Sequence, residues 1–558
     1  MNNGFSDNQR SWYVSLEVLL WVAIAIAILL RLLNLATREL WYDEVLSVLL
    51  ANGQWNNYPA LGDVPIPLQD VQAVLNLPDA SGLSGILLNL KRLLQGVAND
   101  PHPPLSYLGL QGWMYLFGHS DVALRSLMAV VSLMAVGSAY GLGTFLLNPR
   151  GGLIFAALLA TNPFYLSHSL NIRMYGPLVL WTILSTWAML KLANYPPAKT
   201  RRSPWQLAGW GLVLIGSVTA GLLTQYLFVY WGIVLAVLGL FLNGRRWWQH
   251  GLLLGTGGLL AIPWALWGTV QQLRNRSDVL DQIGKAEGIR TIALRHVQNV
   301  AKTLGSHLIV GDWTTSLPLV GVVLAGLGAI ALLTFCTLQL WQNGERRLLA
   351  IALILGIFPL LLALAVDIIT GKFTVGFGWG RSIIFILPGC LLLIALWLEQ
   401  LTAPWQGIAI SALLFLYLSL SIGDLSLRER RMFQTVGSWI EPEPTVPTLV
   451  AFNSKARGYV LRVARYFPKN DQIAILVQNS AKLAPALDAT LKTGPSTYPR
   501  LLWLDLVEPV WSDPSTETDQ EAVQAVLSSQ YELTQEQEFS GTMKWDRFAA
   551  RLYSQRKQ

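Results

Sequence analysis

Eleven stretches of this chain are each apolar over enough residues to cross a bilayer, and that repetition leaves few folds open. A segment in hydrocarbon must satisfy its own backbone N–H and C=O groups, so it spans as a helix of about 20 apolar residues. The runs lie near 13–33, 123–147, 151–168, 175–193, 205–222, 224–242, 251–269, 315–340, 347–369, 382–400 and 406–422. Only 13% of the 558 residues are charged, against about 25% in a soluble domain. The basic residues sit in short loops between the runs and form no long cluster, which orients a membrane protein and excludes a nucleic-acid footprint. Cys336 and Cys390 fall inside apolar runs and read as packing residues, not a disulfide. No small-residue cleavage site follows the first run, so it is expected to remain as an anchor.

One further candidate, 103–117, starts with two prolines and is short for a span. Loop charge decides how to count it. If it does not cross, Arg150, then Lys199, Arg201 and Arg202, then Arg245 and Arg246, then Arg346 and Arg347 all face the cytoplasm. The opposite short loops then hold only Arg173, Lys372 and Arg381, as the positive-inside rule requires. The expected architecture is therefore an α-helical polytopic protein with eleven spans, residues 1–423, its N-terminus cytoplasmic. The outer loops 34–122 and 270–314 carry juxtamembrane helices, one of them the amphipathic stretch 289–304. From 424 to 558 the composition becomes soluble and reads as a small extracytoplasmic α/β domain. Its strands are expected at 448–453, 472–477 and 501–506, and its helices at 455–466, 480–492 and 518–529.

This topology puts five distant segments on one outer face: Trp41–Glu44, Asp100–Pro104, Asp121–Arg125, Asn171–Tyr175 and Gly378–Arg381. Asp43 and Glu44 form an acidic pair suited to a general base and a supporting carboxylate, or to an ordinary interfacial pair beside Trp41 and Tyr42. Arg31, Arg125, Arg173 and Arg381 all stand at outer span ends. Each alone is an ordinary boundary arginine. Together with His102 in DPHPPL they form a set whose guanidinium geometry suits phosphate. Transfer of a sugar from a lipid phosphate asks for both parts: a carboxylate to take the acceptor's proton, and cations for the phosphate that leaves.

The runs RLLNLATRELWYDE, NDPHPPLSYLGLQGWMYLFGHSDVALRSL, LNIRMYGPL and GRSIIFILPG resemble the protein O-mannosyltransferases and the bacterial aminoarabinose transferases of the GT-C superfamily. The similarity is clearest over 28–180, with a weaker echo near 380. It implies a membrane glycosyltransferase using a polyprenyl-phosphate sugar, with Asp43 matching the catalytic base and Glu44 its neighbour. Arg31 and Arg125 match arginines of the family, and His102 falls where the aminoarabinose transferases have a phosphate-contacting lysine. Two departures stand out: Ser382 follows Arg381 where tyrosine is usual, and the loop 270–314 is too short for the extra module of the eukaryotic mannosyltransferases.

The expected partners are thus a polyprenyl-phosphate-linked sugar, a protein, lipid or glycan acceptor and the bilayer, at the plasma membrane of a bacterium. No cofactor and no divalent metal are expected. Two other readings stay in view. One is a metal-dependent, oligosaccharyltransferase-like enzyme, although the loop TNPFYLSHSLNIRMYG offers no Asp or Glu for a metal. The other is a transporter or flippase, although the central stretches are almost uncharged and no repeat is visible.

Overall fold

The computed structural model describes residues 4–78, 82–195, 203–275, 289–428, 430–493, 497–510 and 512–556. Among these, eight helical segments are long and apolar enough to cross a membrane: Leu16–Leu33, Asp121–Leu146, Pro204–Thr224, Phe228–Asn275, Leu319–Gln342, Arg346–Thr370, Phe377–Glu399 and Ala403–Ser438. Phe228–Asn275 contains two of the expected spans, as helices Phe228–Asn243 and Trp247–Trp264 joined through a short turn at Gly244–Arg246. The expected run 175–193 is helix Tyr175–Leu192. The expected run 151–168 is not one helix. It divides into Pro149–Thr161 and Pro163–Ser169 because Pro163 has no N–H to extend the ladder, and the Asn162 side chain accepts from Tyr165 N at 2.9 Å to start a new helix.

The chain divides into two compact units. The first takes the residues up to Leu35, Val97–Gly109 and Val122–Ser426. Its core is built on helix Leu387–Glu399, which is buried without interruption from Leu387 to Leu396. A neighbouring helix approaches to backbone contact: a Cβ added to Gly389 would lie 2.3 Å from the carbonyl carbon of Leu355. Glycine permits that approach, the usual device where helices pack in lipid.

The second unit takes Ala36–Gly96, Leu110–Asp121 and the chain from Leu427 onward. Its centre is a six-stranded sheet of β1 Ile66–Pro67, β2 Thr448–Phe452, β3 Ile473–Val477, β4 Arg500–Leu506, β5 Tyr531–Ser540 and β6 Arg547–Gln555, in the order β1-β3-β2-β4-β6-β5. β2 pairs in parallel with β3 and β4. The continuously buried TLVAF and RLLWLDL suit strands covered on both faces. β6 pairs antiparallel with β4 and β5. Helices Arg457–Tyr466, Ser480–Thr493 and Glu517–Ser528 fall where the sequence places them. β1 comes from the long segment between the first helix and residue 97 and adds antiparallel to β3, its proline tolerated on an edge.

Candidate functional site

The acidic pair belongs to the second unit. Trp41 caps helix Tyr42–Ala51, and Glu44 reaches back so that Oε2 accepts the Trp41 N–H at 3.0 Å. Glu44 is completely buried, so its carboxylate works as half of a capping box. Asp43 is half-buried in the first turn, where the unsatisfied N–H groups of the helix favour a carboxylate. Its backbone carbonyl accepts from Ser47 Oγ at 2.9 Å.

The candidate cations belong to the first unit, and two of them meet around a carboxylate that the sequence reading passed over. Asp100 Oδ1 lies 2.7 Å from His102 Nδ1 and accepts from the Tyr107 hydroxyl at 2.9 Å. Arg173 completes the group, with Nη1 donating to the Tyr107 hydroxyl at 3.4 Å and Nη2 standing 3.5 Å from His102 Nδ1. Burial alone would push the Asp100 carboxyl up, but His102, Arg173 and the Tyr107 hydroxyl outweigh it and hold the carboxyl below its ordinary range. Asp100 thus fixes the imidazole and leaves Nε2 as the nitrogen turned to other work. Gln272 ties down the loop itself, donating to the carbonyls of Val97 and His102 at 2.9 Å each. Tyr226 in turn donates to Gln272 Oε1 at 2.5 Å. The signal for Asp100 was in the same motif, two residues before His102.

Arg381 closes a turn of left-handed backbone. Gly378, Trp379 and Gly380 have φ of 53°, 61° and 87°, and a tryptophan at positive φ is uncommon. Gly378 leaves room for Arg381, since a Cβ there would stand 2.3 Å from the Arg381 Nε. The guanidinium carbon of Arg381 lies 5.8 Å from the centre of the Tyr175 ring, two residues beyond Arg173. His307 steadies this turn, with Nε2 3.1 Å from the Gly380 carbonyl. Burial, reinforced by nearby His168, depresses the His307 pKa to about 3, so it is neutral.

Arg125 and Arg31 are both fully buried. Arg125 Nη1 donates to the Leu35 carbonyl at 3.2 Å. Arg31 is held by neutral oxygens: Nε by Ser132 and Ser169 Oγ, and Nη1 by the carbonyls of Ala27 and Ala160. Its Nη2 has no partner among the described residues. Arg31 therefore ties the first helix into the bundle, with one N–H group left over. No three His, Cys, Asp or Glu side chains among the described residues gather into a set that could hold a metal ion.

Residues 101–267 match the family described as dolichyl-phosphate-mannose-protein mannosyltransferase. ArnT from Cupriavidus metallidurans in the apo state superposes with a TM-score of 0.53 at 12% identity, over 98% of each chain. The same protein bound to undecaprenyl phosphate gives 0.50 at 12% identity, over 95% of this chain and 97% of that one. The chain has the GT-C glycosyltransferase fold. An oligosaccharyltransferase from Archaeoglobus fulgidus, tethered to an acceptor peptide containing the NVT sequon, also superposes. Its TM-score is 0.50 at 12% identity, over 96% of this chain and 74% of that one. No curated protein matches by sequence. The matched family and the fold agree on a membrane-embedded glycosyltransferase, the resemblance read from the sequence.

Proposed function

We propose that this GT-C protein moves a single sugar from a polyprenyl-phosphate carrier to a hydroxyl acceptor on the outer face of a bacterial plasma membrane, with inversion. The observation that carries this reading is the match of residues 101–267 to the mannosyltransferase family, because His102, Tyr107, Arg125 and Arg173 all fall inside it. ArnT, whose fold the chain shares, was solved with undecaprenyl phosphate, which supports a carrier of that class. In this scheme Asp43 accepts the proton of the acceptor hydroxyl as its oxygen bonds to the anomeric carbon. The bond from that carbon to the phosphate oxygen breaks, and the phosphate leaves with the electron pair. His102 Nε2, Arg125, Arg173 and Arg381 stabilise the charge that develops on the phosphate, and Arg31 adds its field and its spare N–H. Glu44 holds the helix that presents Asp43. Residues 1–423 supply the catalytic membrane part and 424–558 the outer domain.

The test is Asp43→Asn in protein that still inserts and folds. Release of polyprenyl phosphate should fall by roughly 10²–10⁴-fold, while saturating chelator leaves the wild-type rate unchanged. A rate within about tenfold of wild type in Asp43→Asn would move the base elsewhere. Loss of activity in chelator, restored by Mn²⁺ or Mg²⁺, would make Asp43 a metal ligand and favour an oligosaccharyltransferase-like enzyme.

A further inference from the structure

Within the second unit, one helix from the C-terminal part of the chain grips the segment that leads into Asp43. Helix Arg457–Tyr466 presents Gly458, Arg462 and Tyr466 at a spacing of four residues, which places them on one face. At Gly458 the ring of Tyr42 lies against bare backbone, and an added Cβ would come within 2.4 Å of its Cδ2. The Tyr459 ring meets the same tyrosine edge-on at 5.4 Å. One turn further, Arg462 Nη2 donates to Glu39 Oε1 and Nη1 to Asp546 Oδ1, each at 2.6 Å, with all three side chains 2% exposed. A turn beyond that, the Tyr466 hydroxyl accepts the Leu40 N–H and donates to Asp121 Oδ2 at 2.7 Å. Other bonds close the set. Glu39 Oε2 accepts the Phe433 N–H at 3.0 Å, and Arg431 Nε donates to the Thr37 carbonyl at 2.8 Å.

A buried ion pair is a poor device for stability, since apolar residues of equal volume do as well; its best-attested use is to fix register. Here the register that is fixed begins six residues before Asp43, at Thr37, and ends one residue before it, at Tyr42. We infer that Gly458, Arg462 and Tyr466 are positioning residues that set the place of Asp43, so that the α/β fold serves the transfer step without touching substrate. The inference rests on Asp43 being the base. Misplacing a reacting group by about 1 Å can cost on the order of 10²-fold in rate, so a small displacement of Tyr42 is enough to be measured.

The experiment uses full-length protein in native membranes, which supply the acceptor, with radiolabelled undecaprenyl-phosphate monosaccharides as donors. Gly458→Ala forces Tyr42 aside, while Tyr466→Phe keeps the ring and removes only the hydroxyl, so it reports even if the first variant folds poorly. Both should lower kcat, Gly458→Ala by roughly ten- to a hundredfold, with the donor KM within twofold of wild type. In both, hydrogen exchange of residues 36–51 should rise while strands β4 and β6, 500–506 and 547–555, keep wild-type protection. A lowered melting temperature with kcat unchanged would reduce the contacts to scaffolding and overturn the inference. If Asp43→Asn abolishes transfer and both variants keep wild-type kcat, the positioning idea alone falls. If Asp43→Asn keeps the wild-type rate, the base assignment falls first and takes the positioning role with it.

Discussion

Replacing Arg462 by methionine removes one guanidinium and leaves two carboxylates, those of Glu39 and Asp546, in a site where each side chain is 2% exposed. The methionine fills similar volume, so the cost is electrostatic. Removing one partner of a buried pair typically destabilises by about 3–5 kcal/mol, because the guanidinium that compensated the buried charge is gone. One guanidinium cannot fully serve two buried acids, and burial already raises the Glu39 carboxyl to about 7 despite Arg462. The stranded acids can therefore escape by taking up protons, and the loss should be full near pH 8 and smaller near pH 6. In a unit of this size each kcal/mol moves the melting point by roughly 2–4 °C, so the melt at pH 8 should fall by roughly 6–20 °C. Differential scanning fluorimetry of the purified protein measures it. Combining Arg462→Met with Glu39→Gln and Asp546→Asn should recover most of the loss. A shift below about 2 °C, with no dependence on pH, would mean that water reaches the triad and that the burial argument is wrong.

Three further outcomes can be checked. Asp100→Asn should lower kcat/KM for the donor by roughly ten- to a hundredfold, the value of one charge-assisted bond of about 1.5–3 kcal/mol. Because the Asp100 carboxyl is held low, its contribution is present above its unfolded pKa and lost as pH falls through the folded value, so this variant should also lose the acid limb of the wild-type stability profile. Glu39→Gln tests the opposite sign: with the folded pKa raised to about 7, the wild type loses stability as pH rises from about 4.5 to about 7, and melts of the variant should be flatter across that window. Gly389→Val puts methyl groups where a Cβ alone meets backbone at 2.3 Å. Overpacking of this kind costs about 1–3 kcal/mol or more, and yield of folded protein in detergent should drop sharply.

The membrane helices were legible because length and apolarity are local properties of the chain. The break at Asn162 was written just as locally, in the proline after an asparagine, but a hydropathy window averages over it. The polar strand YELTQEQEFS escaped because it is exposed along nearly its whole length and so shows no alternation. Ile66–Pro67 is too short to be read as a strand until β3 offers its edge. At the candidate site the residue types were visible and their partners were not. Asp100 is defined by Arg173, which approaches its histidine from 71 residues away. Arg31 looked like any arginine at a span end until Ser132 and Ser169 were found against its Nε. Glu44 reads as a supporting carboxylate beside Asp43, but its bond to the Trp41 N–H is not legible from adjacency alone.

The contact between Arg462 and Glu39 joins residues 423 positions apart. A ribosome adding roughly 5–20 residues per second leaves Glu39 without its counter-ion for about 20–80 s. During that time the later membrane helices are still being made and the strands that complete the sheet do not exist. The loop that holds Glu39 must wait through nearly all of synthesis with an ionisable group that is later buried. A chain cut short before Arg462 would carry every membrane helix and still lack the means to set that loop.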